Sequence, residues 1–216
     1  RMIQLISCTL WEGDDSFMSE DASTRAIHSR FLKEDSHGAL NFPIYENAAF
    51  EFSSAEELEK AFLGQKPAHM YTRISNPTVE NFEQKVKNTA EAFGVVALSS
   101  GMAAIANLLI AICQSGDQVL TTKYIFGNTY SLLEKTLKPW GLETVYTDLN
   151  DLARVKAAIS KKTRVIFFET ITNPQLEVVD IKALASLAKE HGILLVADST
   201  VTPLNFLKPK ELGLNI

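Results

Sequence analysis

The stretch TRVIFFETITNPQLEVVDIKALASLAKEHGILLVADST, residues 163–200, decides the fold. It opens on one apolar run, TRVIFFE (163–169), and closes on another, ILLVAD (193–198). Both are too continuous for strands with one wet face, so both sides of the sheet they belong to must be covered. Between them a helical pattern spans 180–191, with Asp180 standing where an N-cap belongs. Two buried strands joined by a helix form a parallel pair with a covering crossover. The second strand ends in Asp198, which puts a carboxylate at the rim where open α/β sheets bind ligands. Left unpaired in an apolar site, that carboxylate costs roughly several kcal/mol, so a cationic partner is expected beside it.

Upstream of this unit the same alternation runs back to residue 76. Asn76-Pro77 reads as an N-cap followed by an N1 proline, opening a helix to about Ala90. Then come strand 95–99, helix 101–113, strand 118–122, helix 128–138, strand 142–146 and helix 151–159, the last with Asn150 as its expected cap. The expectation is an α/β domain with a mostly parallel sheet and helices on both faces. Residues 1–70 show no such pattern. They contain one expected helix, 54–63, with Ser54 as N-cap and Glu57 as its capping-box acid. They read as an N-terminal arm that packs on something else, and 71–216 as the domain proper.

Composition removes several function classes. The chain has 216 residues, 46% of them hydrophobic and 22% charged, with a net charge of −5. An acidic balance argues against nucleic-acid binding, and KKTR (161–164) is too short to reverse it. Two widely separated cysteines, Cys8 and Cys113, give neither a disulfide framework nor a metal-spaced cluster, so no metal is expected. The opening RMIQLISCTLWEG has too short an apolar run for a secretory signal, and a cytoplasmic setting is expected. The uncharged run 92–113 is interrupted by Ser-Ser-Gly and reads as strand, turn and helix rather than a membrane span.

Five motifs fall where chemistry is done. In SSGMAAI (99–105) a strand gives way to a helix, whose first N–H groups, at Gly101 and Met102, can hold a phosphate. YTRISNPT (71–78) sets Tyr71 and Arg73 two apart, on one side of the chain if the segment is extended. Phe126, in IFGNTY (125–130), can stack on a planar ring. ETITNP (169–174) places Glu169 and Asn173 at a strand end, where an Asn can donate to an oxyanion. DSTVTP (198–203) supplies Asp198. Each has a plainer reading alone: a turn glycine, a surface Arg, a core Phe, an Asn-Pro turn, an Asp capping its own turn. Together they put a phosphate site, an oxyanion donor, a stacking ring and a partner for a protonated ring nitrogen on one sheet rim. That is what pyridoxal 5'-phosphate (PLP) requires, apart from a Schiff-base lysine.

In this order, YTRxxNPT, SSGMAAI, FGNTY, ExxxNP and DxTxxTP, the motifs resemble the Cys/Met-metabolism (transsulfuration) family of PLP enzymes, from about Ile27-His28 to the end of the chain. The resemblance implies the aminotransferase-like fold (PLP fold type I), and PLP as cofactor. It implies phosphate binding by the Gly101 and Met102 amides, and by Tyr71 and Arg73 toward the neighbouring subunit's cofactor. Phe126 matches the ring-stacking position, Asn173 the donor to the phenolic oxygen, Asp198 the pyridinium partner and Thr200 a contact to the other ring face. Glu169 stands behind these. Three positions depart from the family pattern: Phe126 where many members have Tyr, Ser199 where Asn is usual, and Val201 where an aromatic is usual.

The family's lysine lies roughly two dozen residues past the Asp, which falls just beyond Ile216. The family's small C-terminal domain is absent as well. Lys208 and Lys210 follow Asp198 too closely to take the lysine's place. The wording is most similar to the O-acetylhomoserine sulfhydrylase branch. That implies γ-replacement on an O-acylated homoserine by sulfide or a thiol, giving homocysteine for methionine and cysteine biosynthesis, in a homotetramer built as a dimer of dimers. A γ-lyase acting on methionine or cystathionine is the alternative, though methionine γ-lyases tend to have Cys where this chain has Asn128. A non-catalytic partner or remnant lacking the lysine is the alternative of another class.

Overall fold

The computed structural model describes residues 5–8, 22–28, 37–39 and 41–216. Most of the expected arm before residue 37 therefore lies outside the described residues. The elements are β1 (Leu5–Cys8), α1 (Ala22–His28), α2 (Ala55–Phe62), α3 (Pro77–Ala90), β2 (Gly94–Ala97), α4 (Gly101–Ile112), β3 (Gln118–Thr121) and α5 (Gly127–Ser131). A π-helical segment, Leu132–Leu137, continues α5. Then follow β4 (Glu143–Tyr146), α6 (Leu152–Ala158), β5 (Thr163–Glu169), α7 (Ile181–His191), β6 (Leu194–Asp198) and α8 (Pro209–Leu212).

Four strands form one parallel sheet in the order β4-β3-β5-β6. The chain goes outward from β3 to β4, returns past β3 to β5, and goes outward again to β6. The order therefore reverses between β3 and β5, and the carboxyl ends flanking that switch are where such sheets leave a crevice. Successive side chains alternate between faces, so each strand feeds two layers. Val119, Val165, Phe167 and Val196 pack against Ile105, Leu108 and Leu109 of α4 and against Leu133 and Leu137. On the other face Leu120, Ile166, Phe168 and Leu195 pack against Val155 of α6 and Leu184, Leu187 and Ala188 of α7. Beyond β6, Leu195 N–H donates to Asn215 Oδ1 (2.8 Å) and Ala197 N–H to the Ile216 carbonyl (3.0 Å), covering that strand's outer edge.

Helix starts follow local chemistry. Asn76 accepts from Thr78 N–H with Pro77 behind it, Asp180 accepts from Ala183 N–H, and Ser54 accepts from Glu57 N–H. The Glu57 carboxylate turns away to Lys60 and Lys66 instead of closing a capping box. The cap of α6 is Asp151 rather than Asn150. One Asp151 oxygen takes both the Ala153 and Arg154 N–H groups at 3.1 Å, whereas Asn150 sits in a turn held by Asp148.

The strand expected at 95–99 forms at 94–97 but outside the parallel sheet. It pairs antiparallel with β1. The helix expected over 128–138 is an α-turn followed by the π-helical segment. No helix among the described residues is long and apolar enough to cross a membrane.

Gly141 leaves no room for a side chain beside Ser115. Its φ is +104°, and a Cβ there would sit 2.1 Å from Ser115 Oγ. Gly141→Ala therefore combines a left-handed backbone strain with a clash. It is expected to cost about 3 kcal/mol, read as a lower urea midpoint at unchanged slope.

Candidate active site

A cleft of about 440 Å³ opens over the carboxyl ends of β5 and β6, bounded by the loop after β3 and the N-terminus of α4. It is lined by Gly101, Met102, Phe126, Glu169, Asn173, Asp198 and Thr200, all drawn from the motifs above. Parallel strands explain the convergence of the Phe126, Glu169–Asn173 and Asp198–Thr200 segments, because β3, β5 and β6 point their following loops to the same rim, whereas Gly101 and Met102 arrive on α4, which packs against that sheet.

At one end of the cleft is α4. Ser100 is its N-cap, and its Oγ accepts from Ala103 N–H at 3.1 Å. The Gly101 and Met102 N–H groups are left without a hydrogen-bond partner among the described residues. Two open amides at the positive end of a three-turn helix suit an anion.

Asp198 occupies the other side. Its Oδ1 accepts from Thr200 N–H (2.9 Å) and from the Thr200 hydroxyl. The Asp does cap its own turn, and in doing so it is fixed in orientation at the cleft. Thr200 acts here through Asp198, a link that the sequence did not reveal.

Phe126 is 44% exposed and presents an aromatic ring to the cleft, with Ile105, Ile171 and Val201 completing an apolar lining. Asn173 lies across from it and precedes a cis peptide bond to Pro174. Glu169 is buried, 6% exposed, beneath both. It takes the Phe126 and Asn173 N–H groups on its two oxygens. Burial pushes its carboxyl upward, the Phe126 N–H works against that, the Asp198 charge adds to it, and the Asn173 N–H again opposes it.

Tyr71 and Arg73 are not in this cleft. They line a separate one of about 500 Å³ with Tyr45, Glu46, Asn47, Ala48 and Thr72. The segment is not extended as expected. The Ile74 and Ser75 N–H groups fold back onto the Tyr71 carbonyl (2.8 and 3.1 Å), and this turn brings the Arg73 guanidinium 5.4 Å from the centre of the Tyr71 ring. The two are joined by a cation–π contact rather than by strand alternation. The turn is tied to 45–50 by an Ala49–Tyr71 bridge and a Thr72 N–H to Ala48 carbonyl bond.

Sequence reasoning missed Thr129, which is buried against Met102 and lines the main cleft. Its signal was its place three residues after Phe126, on the same side of a helical turn. Among the described residues no group of His, Cys, Asp or Glu could hold a metal ion.

The donor set fits one kind of occupant: an anionic group at α4, a flat body beside Phe126, and a protonated ring edge at Asp198. Comparison with known proteins agrees with that chemistry. Residues 23–216 match the family described as Cys/Met metabolism PLP-dependent enzyme. The chain is 37% identical over 194 residues to L-methionine gamma-lyase of Fusobacterium nucleatum subsp. nucleatum, covering 89% of this chain and 49% of that protein.

Among solved structures, a putative O-acetylhomoserine (thiol)-lyase from Campylobacter jejuni superposes with a TM-score of 0.85 at 33% identity, covering 91% of this chain and 48% of that one. That structure contains N'-pyridoxyl-lysine-5'-monophosphate. O-acetylhomoserine sulfhydrylase of Wolinella succinogenes superposes with a TM-score of 0.63 at 46% identity, over 65% of this chain and 40% of that one. The chain spans about half the length of the curated relatives it matches. Sequence, fold and the family match lead to one conclusion: the chain belongs to the Cys/Met metabolism family of PLP-dependent enzymes, shares its fold type I architecture, and has pyridoxal 5'-phosphate as its cofactor.

Proposed function

We propose that this chain carries the cofactor site of an enzyme catalysing γ-replacement on an O-acylated homoserine, with sulfide or a thiol displacing the acyloxy group to give homocysteine or its thioether. The observation that carries the reading is the single cleft that joins Asp198, the α4 amides and the Phe126 ring. The 46% identity to the Wolinella sulfhydrylase favours replacement as the outcome.

In this reading the Gly101 and Met102 N–H groups bind the phosphate, and the Phe126 ring orients the cofactor by stacking. Asn173 donates to its phenolic oxygen, and Asp198, steadied by Thr200, holds a proton at its ring nitrogen. PLP, when bound, supplies an electron sink that makes the substrate Cα–H acidic enough to remove. Asp198 would keep that ring nitrogen protonated, and the apolar wall of Ile105, Ile171 and Val201 would limit water beside it.

Tyr71 and Arg73, lying outside the cleft, bind the phosphate of a neighbouring subunit's cofactor, and residues 1–70 serve as the arm that packs on that neighbour, apart from Leu5–Cys8, which pair with β2 of the same chain. The assembly is a homo-oligomer, a dimer of dimers, working in the cytoplasm. Arg73→Ala is then expected to weaken PLP binding about 10- to 100-fold, the worth of one charge-assisted contact, in a fluorescence titration of the apoprotein. Wild-type affinity in that variant would remove the phosphate role.

The second reading is a γ-lyase, favoured by the 37% identity to L-methionine gamma-lyase. The deciding experiment gives the intact protein PLP and, in separate assays, O-acetylhomoserine with sulfide and L-methionine alone. Homocysteine from the first supports replacement, whereas methanethiol with 2-oxobutanoate from the second supports elimination. Cofactor uptake with neither product leaves the non-catalytic partner.

A further inference from the structure

Glu169 is a buried acid to which the mechanism above gives no task. It closes β5, with its Cα in register with that of Asp198 on β6, so two carboxylates stand side by side at the rim. A carboxylate in so buried a place is normally matched by a cation, and among the described residues no Lys, Arg or His forms an ion pair with Glu169. Its compensation comes from backbone amides instead. Oε1 accepts from Phe126 N–H, and Oε2 from Asn173 N–H at 3.3 Å. These amides belong to two different loops, one after β3 and one after β5, and Phe126 lies 43 residues from Glu169 in the chain. They are the loops that carry the aromatic ring and the side-chain amide facing the cleft.

We propose that Glu169 is a positioning residue: its carboxylate fastens the Phe126 loop to the Asn173 loop and so fixes the ring and the donor relative to a cofactor at Asp198. This rests on the cofactor reading of the cleft and goes a step further, to what holds its parts in place. The demand for a carboxylate is specific. It offers an acceptor to each loop at once, whereas a glutamine of the same size offers one acceptor and one donor, and would turn an N–H toward an N–H.

The test uses the intact protein as wild type, Glu169→Gln, Glu169→Asp and Phe126→Ala, with three readouts: PLP affinity of the apoprotein, visible circular dichroism per bound cofactor, and thermal midpoint. Glu169→Gln is expected to weaken PLP binding about 10-fold and to halve the dichroic band, as expected for losing one charge-assisted hydrogen bond and loosening the ring. Glu169→Asp should recover part of both. In the Phe126→Ala background the effect of Glu169→Gln should shrink, because the ring that Glu169 positions through the Phe126 backbone N–H is no longer there.

A lowered thermal midpoint with wild-type affinity and an unchanged dichroic band would overturn the proposal, leaving a merely structural acid. Should Glu169→Gln not fold, amide hydrogen exchange in the wild type decides. The Phe126 and Asn173 amides are expected to exchange at least 100-fold more slowly than open loop amides, and exchange at open-loop rates overturns the proposal. No PLP uptake by the wild type would sink the cofactor reading itself, and this proposal with it. Uptake without a Glu169 effect sinks this proposal alone.

Discussion

Asp198→Asn is expected to lower kcat roughly 100- to 1000-fold while leaving KM nearly unchanged, the signature of an electrostatic contribution made at the transition state. The substitution is chosen because it is nearly isosteric. Thr200 donates to one oxygen of Asp198 through both its N–H and its hydroxyl, and an asparagine carbonyl can accept the same two bonds. The bonds to Thr200 are kept, while the charge is removed and the second oxygen becomes a donor. An uncharged neighbour no longer favours the proton on the ring nitrogen, and the electron sink weakens accordingly. The measurement is steady-state turnover at saturating PLP, with bound cofactor quantified in parallel. Turnover within a few-fold of wild type in fully loaded protein would sink the assignment of Asp198 as the ring-nitrogen partner.

Phe167→Ala should have the largest effect on stability. Phe167 is 1% exposed in the middle of β5, the strand flanked by both β3 and β6, and it packs into the layer that contains α4. Removing a ring from such a site typically costs ~3–5 kcal/mol, through lost transfer energy and the cavity left behind. Against an ordinary folding free energy of about 5–15 kcal/mol, that is a large fraction. The check is urea unfolding of the apoprotein, with an expected fall in the midpoint at unchanged slope. A loss below about 1 kcal/mol would mean that the layer collapses around the void.

The parallel sheet was legible because its strands are buried on both faces and are written as unbroken apolar runs. Once strand ends such as Glu169 and Asp198 are located, a parallel arrangement brings their loops to one rim, so most of the cleft could be assembled from sequence. Partnership was harder to read. Val95 and Val96 announce a strand, but nothing local says that it pairs antiparallel with Leu5–Cys8 rather than joining the main sheet. Asn150 and Asp151 are both good caps one residue apart. The choice rests on which side chain reaches two amides. Tyr71 and Arg73 were read by strand alternation, and a turn brings them together instead. Glu169 was legible as a strand-end acid. Its grip on the Phe126 amide depends on chain far away in sequence, which no local pattern reports.

The strand order has a consequence for how the protein is made. β3 leaves the ribosome before either of its sheet neighbours, since β4 begins at Glu143 and β5 at Thr163. At ordinary rates of translation the apolar residues Val119 and Leu120 stay unpaired for seconds, with their hydrogen-bonding edges open on both sides. A slower stretch of message across the codons for residues 122–163 lengthens that exposure, and a chaperone that holds nascent apolar segments lessens its danger. The tempo of synthesis across those forty-odd residues therefore sets how long that edge stands open, whatever the stability of the finished fold.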